Sequence, residues 1–303
     1  LISSGLKHYP QIKFQGDEKM LWNPVLKKSY KNRPEERVRL QFVDFLIFEA
    51  GFSKNKIAFE SPVSLPGDKS ASRSDVICYD EDFKPLLLVE CKAPSIQLDE
   101  KTAIQIARYN SEIDAPFLMV TNGLRDFWFE SSGNEITFLE NPTTRFSSTT
   151  ETKRNFEYWQ GRGFAGSIEE PIVQQWITEN CNQLLVQTSN PAHFIDFEGT
   201  EPDLQLSNFY QILLINEQTR LAVSLTSTPF GATKFNAILN QGGQNVGLLS
   251  ASLDIIASDQ LENTMIQNAN GIKMVDLVDE VGFEFLKSIK DLAQPISLLM
   301  MGK

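Results

Sequence analysis

Two short segments hold side chains able to do chemistry together: Arg73-Ser74-Asp75 and, fifteen residues beyond Asp75, Glu90-Cys91-Lys92. Alternate residues of a strand face the same side, so Glu90 and Lys92 project together while Cys91 points the other way. Glu90 follows the run Leu86-Leu87-Leu88-Val89, which is apolar on both faces, as a central strand covered by helices on both sides is. If a neighbouring strand brings Asp75 beside Glu90, the two carboxylates repel each other, and a hard divalent cation such as Mg²⁺ or Mn²⁺ relieves the repulsion. A cation held there lowers the pKa of its water and neutralises charge developing on a phosphoryl oxygen. Lys92 can orient that water or help deprotonate it, and can stabilise transition-state charge. Such a kit suits phosphodiester hydrolysis. The bland alternative is a structural Glu–Lys pair at a strand end, where exposed ion pairs are common and weak.

The elements that must position these residues are read from pattern. Pro34, Glu35 and Glu36 at a helix start, followed by Val38, Phe42, Phe45, Leu46 and Phe48, predict a helix of about four turns that Gly51 ends. Strands are expected at Lys56–Val63, Arg73–Tyr79 and Pro85–Cys91, with turns at Pro66-Gly67-Asp68 and Asp80-Glu81-Asp82. A second helix over about Asp99–Ile113, a strand at Pro116–Thr121, a turn at Asn122-Gly123 and a strand at Asp126–Glu130 follow. Passage from strand to helix to strand between Pro85 and Thr121 implies a parallel crossover in a mixed sheet. In the run Phe127-Trp128-Phe129, strand alternation divides the rings between core and surface rather than offering them all to stacked bases.

The order and content of these segments resemble a known family. Asp75, then Glu90-x-Lys92 on the next strand, resembles the PD-(D/E)xK nuclease superfamily. More narrowly, Pro34-Glu35-Glu36-Arg37-Val38-Arg39, Arg73-Ser74-Asp75, Leu87-Leu88-Val89-Glu90-Cys91-Lys92-Ala93-Pro94, Gln105-Ile106-Ala107-Arg108-Tyr109-Asn110 and Val120-Thr121-Asn122-Gly123 look like the N-terminal nuclease domain of type I restriction enzyme restriction subunits. The resemblance covers about residues 34–130. It implies that Asp75 and Glu90 bind the metal, that Lys92 is the catalytic lysine, that Glu35 or Glu36 completes the site, and that Gln105, one turn before Tyr109, supports it. No GxxxxGKS/T phosphate loop occurs in these 303 residues, so a stand-alone nuclease without an ATP-driven motor is expected. The competing expectation is a catalytically silent module of the same fold that binds nucleic acid or serves assembly.

Composition bounds the rest. With 303 residues, 41% hydrophobic content and no apolar run of membrane-spanning length, a folded, cytoplasmic protein of about two domains is expected. Cys78, Cys91 and Cys181 form no CxxC pair, and with only His8 and His193 a histidine-rich metal site or Ser/His triad has little to draw on. Carboxylates and lysines must therefore carry the chemistry. The net charge of −11 is uneven: residues 1–40 hold nine Lys/Arg against four Asp/Glu, concentrated in Lys27, Lys28, Lys31, Arg33, Arg37 and Arg39 near Trp22 and Tyr30. That stripe either contacts phosphates or is a solvated arm.

Beyond Glu140, a Thr/Ser-rich stretch at Thr143–Thr152 marks a domain edge. A helix at Pro171–Val186, strands at Phe209–Ile215, Leu221–Ser227, Phe235–Leu239 and Val246–Leu253, and a closing helix at Val275–Leu292 follow. The expected organisation is a basic N-terminal extension at 1–33, an α/β, restriction-endonuclease-like mixed sheet flanked by helices at 34–140, a linker with a helix at 141–190, and an α+β domain at 191–303. Residues 192–303 hold six Lys/Arg against thirteen Asp/Glu. They match a phosphate backbone poorly, which suggests assembly, including homo-oligomer formation, with DNA approaching from the Lys27–Arg39 side.

Overall fold

Residues 1–33 are not a solvated arm. Three strands, β1 (Gln11–Gln15), β2 (Glu18–Asn23) and β3 (Lys28–Tyr30), form a small sheet in the order β1-β2-β3. Its apolar residues explain why it folds back: Tyr9, Met20 and Leu21 are buried. Before it, Ser4 N–H donates to Asp126 Oδ2 at 2.7 Å, and His8, itself buried, sits 3.0 Å from Glu49 Oε1.

The computed structural model describes residues 1–63, 72–133, 135–140, 146, 152–197 and 206–302. The turn expected at Pro66-Gly67-Asp68, and the Thr143–Thr152 stretch apart from Phe146 and Thr152, lie outside them. The chain divides into two compact units, Leu1–Gln15 with Lys19–Thr152, and Gly16–Glu18 with Lys153–Lys303.

In the first unit, helix α1 (Pro34–Phe48) opens with Pro34, whose fixed φ suits a first helical turn, and with Glu35 and Glu36, which the helix dipole favours there. Behind it lies a six-stranded sheet in the order β4-β5-β6-β7-β8-β9: β4 (Ile57–Val63), β5 (Ser72–Tyr79), β6 (Pro85–Cys91), β7 (Phe117–Thr121), β8 (Asp126–Ser132) and β9 (Glu135–Phe138). β6 and β7 are parallel and joined through α2 (Glu100–Ile113), while the other neighbours pair antiparallel.

The two-sided apolar strand is accounted for by two cores. Leu87, Val89 and Cys91 join Val38, Phe42, Phe45 and Trp128 on the α1 side, whereas Leu88 joins Ile77, Leu118, Val120 and Ile106 on the α2 side. Each fully buried aliphatic side chain contributes about 1.5–3 kcal/mol relative to exposure. Trp128 therefore serves the core, with Phe127 and Phe129 half-buried beside Phe138. At the β7–β8 turn Gly123 has φ 79°, and an added Cβ would meet Val38 Cγ2 at 2.9 Å. The turn thus needs glycine twice, for its left-handed backbone and for the close seat of α1.

The second unit carries α3 (Phe156–Gln160), α4 (Pro171–Leu185) and a seven-stranded sheet of β10 (His193–Phe197), β11 (Leu206–Leu214), β12 (Thr219–Ser227), β13 (Thr233–Gln241), β14 (Gln244–Ser252), β15 (Thr264–Asn268) and β16 (Gly271–Val275). Consecutive strands are neighbours and antiparallel throughout. A short α5 (Leu253–Ala257) interrupts the sequence after β14. The single closing helix expected at Val275–Leu292 is instead two, α6 (Leu277–Val281) and α7 (Ile289–Met300). Gly282, at φ 62°, caps the first, and the reciprocal bonds between Ser288 and Asp291 start the second. No described helix is long and apolar enough to cross a membrane.

Candidate active site

Asp75 and Glu90 follow one ladder step from the Val76–Val89 pair of β5 and β6. By strand alternation they share the sheet face of Ile77 and Leu88, the side covered by α2. Asp75 is held at both oxygens: Arg39 Nη2 lies 2.9 Å from Oδ1, and the Cys91 backbone N–H donates to Oδ2 at 2.7 Å. Glu90 Oε1 accepts from Lys92 Nζ and from Gln105 Nε2, each at 2.7 Å. Gln105 closes the ring, its Oε1 accepting from Lys92 Nζ at 3.2 Å while its Nε2 also donates to Tyr109 Oη at 3.1 Å.

Helix α2 can present Gln105 and Tyr109 together because residues four apart share a helix face. Asp99 fixes where the helix begins by accepting the Thr102 N–H at 3.1 Å. From α1, Glu36 and Glu35 approach Arg39 at 3.2 Å and 3.9 Å respectively. The two differ in setting: Glu36 is buried and its Oε1 has no hydrogen-bond partner among the described residues, whereas Glu35 is exposed.

The electrostatics of the group are those of too many acids in one place. Burial, and then the charge of Asp75, push Glu90 up to about 7 despite the Lys92 ammonium beside it. Burial also raises Asp75, against the pull of Arg39 and the Cys91 N–H, and raises Glu36 against the pull of Arg39. Burial alone would lower Lys92, but its hydrogen bond to Glu90 and that residue's charge raise it, so the amine is an ammonium at neutral pH. Cys91 is wholly buried, and burial lifts its thiol far from reactivity.

Three side chains at this cluster were not singled out from the sequence as site residues. Arg39, expected to contact phosphates, is 8% exposed and spans Asp75, Glu36 and Glu60. Its spacing of three from Glu36 was the available signal. Glu60 had none: the ladder passes from Phe59–Val76 to Ser61–Ser74, leaving Glu60 at φ 46° to aim its carboxylate at Arg39, 3.3 Å away. Tyr30, at the end of β3, borders the group: burial, then the charges of Glu60 and Glu36, raise its hydroxyl pKa.

The basic stripe is accordingly shorter than expected. Arg37 is buried and donates to Asn32 Oδ1 at 2.9 Å, while Lys27, Lys28, Lys31 and Arg33 remain exposed. Lys28 lies 5.3 Å from the Tyr30 ring centre and Lys13 3.2 Å from that of Trp22.

Among the described residues, no three His, Cys, Asp or Glu side chains stand close enough to enclose a metal ion without rearrangement. The donors nevertheless fit a hard cation. Asp75, Glu90 and Glu36 offer oxygen alone, and the unpartnered buried Oε1 of Glu36 is an acceptor still wanting a positive partner.

No curated protein matches the chain. Residues 34–141, the stretch that holds α1, the six-stranded sheet and every carboxylate of this cluster, match the family model of the type I restriction enzyme R protein N terminus.

Proposed function

We propose that the protein is a divalent-cation-dependent endonuclease acting on DNA. The observation that supports this most is the Lys92–Glu90–Gln105 ring set beside Asp75 in a restriction-enzyme domain. Asp75 and Glu90, joined by Glu36, are the residues that would hold Mg²⁺ or Mn²⁺. The chemistry such an ion supplies is charge neutralisation at the phosphoryl oxygens and an acidified water.

This chain's own groups do the rest. Lys92, an ammonium fixed by two acceptors, places a positive charge where charge grows in the transition state and can give a proton to a departing oxygen. Gln105 keeps Lys92 and Glu90 in register, because it bonds to both. Lys27, Lys28, Lys31 and Arg33, near Tyr30, offer a phosphate-binding approach to the same cluster.

The test is cleavage of supercoiled and linear DNA by the full chain without ATP. Product is expected with Mg²⁺ or Mn²⁺ and none with EDTA. If no Mn²⁺ is taken up and no DNA is cut, the silent-module reading replaces this one.

We assign the acidic second unit to self-association or partner recognition. Sedimentation velocity of the full chain checks it: oligomers are expected, and a monomer at all accessible concentrations would remove self-association.

A further inference from the structure

Arg39 stands where a cation is wanted. Its guanidinium reaches Asp75 Oδ1 at 2.9 Å, Glu36 Oε2 at 3.2 Å and Glu60 Oε1 at 3.3 Å. Glu60 adopts φ 46° within β4 to make that contact, a left-handed backbone that costs a non-glycine residue about 1–2 kcal/mol. From this strained position Glu60 adds its carboxylate to those of Glu35, Glu36 and Asp75 around the arginine.

The arrangement is also incomplete. Arg39 Nε and Glu36 Oε1 are both buried without hydrogen-bond partners among the described residues. A buried group left in that state costs about 1–3 kcal/mol. Among the described residues, Glu35, Glu36, Glu60, Asp75 and Glu90 stand around Arg39 and Lys92, so carboxylates outnumber cations in the cluster and a divalent ion would reduce the excess.

We propose that Arg39 is a counter-ion latch: in the cation-free protein its guanidinium neutralises Asp75, and it gives up that oxygen when a divalent cation loads while keeping Glu36 and Glu60. This rests on the reading of Asp75 and Glu90 as cation ligands. Both Asp75 oxygens already have a partner, Arg39 on Oδ1 and the Cys91 N–H on Oδ2, and the first of these is a full positive charge. An incoming ion must therefore compete with a fixed positive charge at close range. Arg39 in this role is a positioning residue that sets the divalent-ion concentration at which the site loads. It keeps the buried acids folded below that concentration.

The test measures Mn²⁺ binding to the full chain by electron paramagnetic resonance, for wild type, Arg39→Gln and Arg39→Lys. Arg39→Gln is expected to bind Mn²⁺ at least about tenfold more tightly, because the competing charge is gone. It should also melt below wild type in EDTA and recover the difference when Mn²⁺ is added, which a merely structural arginine would not do. Arg39→Lys keeps the charge and should bind within about threefold of wild type.

Should Arg39→Gln fail to fold, the wild type decides. Mg²⁺ should shift the Arg39 Nε–Hε resonance, assigned by its loss in Arg39→Lys, and speed its hydrogen exchange. Wild type that binds Mn²⁺ while Arg39→Gln gains nothing, or an unmoved Arg39 resonance on loading, overturns the latch alone. Wild type that takes up no Mn²⁺ overturns the ligand reading as well.

Discussion

Replacing Lys92 by alanine is expected to slow DNA hydrolysis by about a hundred- to ten-thousandfold and to leave Mn²⁺ binding close to that of wild type. The carboxylates of Asp75, Glu90 and Glu36 would hold the ion, and Lys92 takes no part in that: it donates to Glu90 Oε1 at 2.7 Å and to Gln105 Oε1 at 3.2 Å. Under the proposed mechanism its loss removes the positive charge that would face the reacting phosphate. Gln105 Nε2 still holds the same Glu90 oxygen at 2.7 Å, so the carboxylate keeps its place. Asp75→Ala and Glu90→Ala should behave differently, losing cleavage and Mn²⁺ uptake together. Single-turnover cleavage and Mn²⁺ titration on the same preparations separate the two patterns. A Glu90→Ala protein that cuts DNA at the wild-type rate would reject the assignment.

How much of this was legible in the sequence depended on whether the signal was local. The β6 strand was readable residue for residue because Leu86–Val89 is apolar on both faces and runs into Glu90, with Lys92 directly after the strand's end at Cys91. α1 was readable because Pro34, Glu35 and Glu36 mark its start and Gly51, at φ 78°, follows its end. The pairing of Asp75 with Glu90 followed from neighbouring strands.

What failed was non-local or short. The β1-β2-β3 sheet went unread because its strands are only three to six residues long and its lysines masked Met20 and Leu21. Glu60 reaches the cluster through a break in the β4–β5 ladder that no glycine or asparagine announces. Arg39 was grouped by its charge with a stripe that either contacts phosphates or is solvated, whereas Glu36 on its own helix and Glu60 and Asp75 on β4 and β5 hold it buried. In the second unit β11 to β14 were legible from alternation, but the five-residue β10, β15 and β16 went unread, and the α6–α7 break hung on local caps, Gly282 after α6 and the Ser288–Asp291 pair before α7.

The second large effect lies away from the chemistry. Gly166→Ala is expected to destabilise the second unit by about 3–5 kcal/mol, the sum of overpacking and several weakened hydrogen bonds. A Cβ at this position would meet Gly231 O at 1.9 Å, Gly231 C at 2.5 Å and Ala232 O at 2.7 Å. These are backbone atoms in the turn between β12 and β13, so no rotamer change can make room. The same turn is tied to the segment by Ser167 N–H donating to Gly231 O at 2.6 Å and by Gly166 N–H donating to Thr233 Oγ1 at 2.8 Å. Moving the Gly166–Ser167 segment away from the turn would loosen both bonds. Gly242→Ala, in the same unit, is the control: it has φ 56° but nothing within 4 Å of an added Cβ, so only the backbone cost of about 1–2 kcal/mol applies. Urea unfolding of the two variants measures the contrast, and equal midpoints would show that the Gly166–Gly231 approach leaves room for a methyl group. Because the carboxylates and Lys92 belong to the first unit, Gly166→Ala also separates roles. If the second unit carries self-association, this variant should lose its oligomeric state under mild denaturant while still taking up Mn²⁺, and joint loss of both would argue that the site depends on the second unit's integrity.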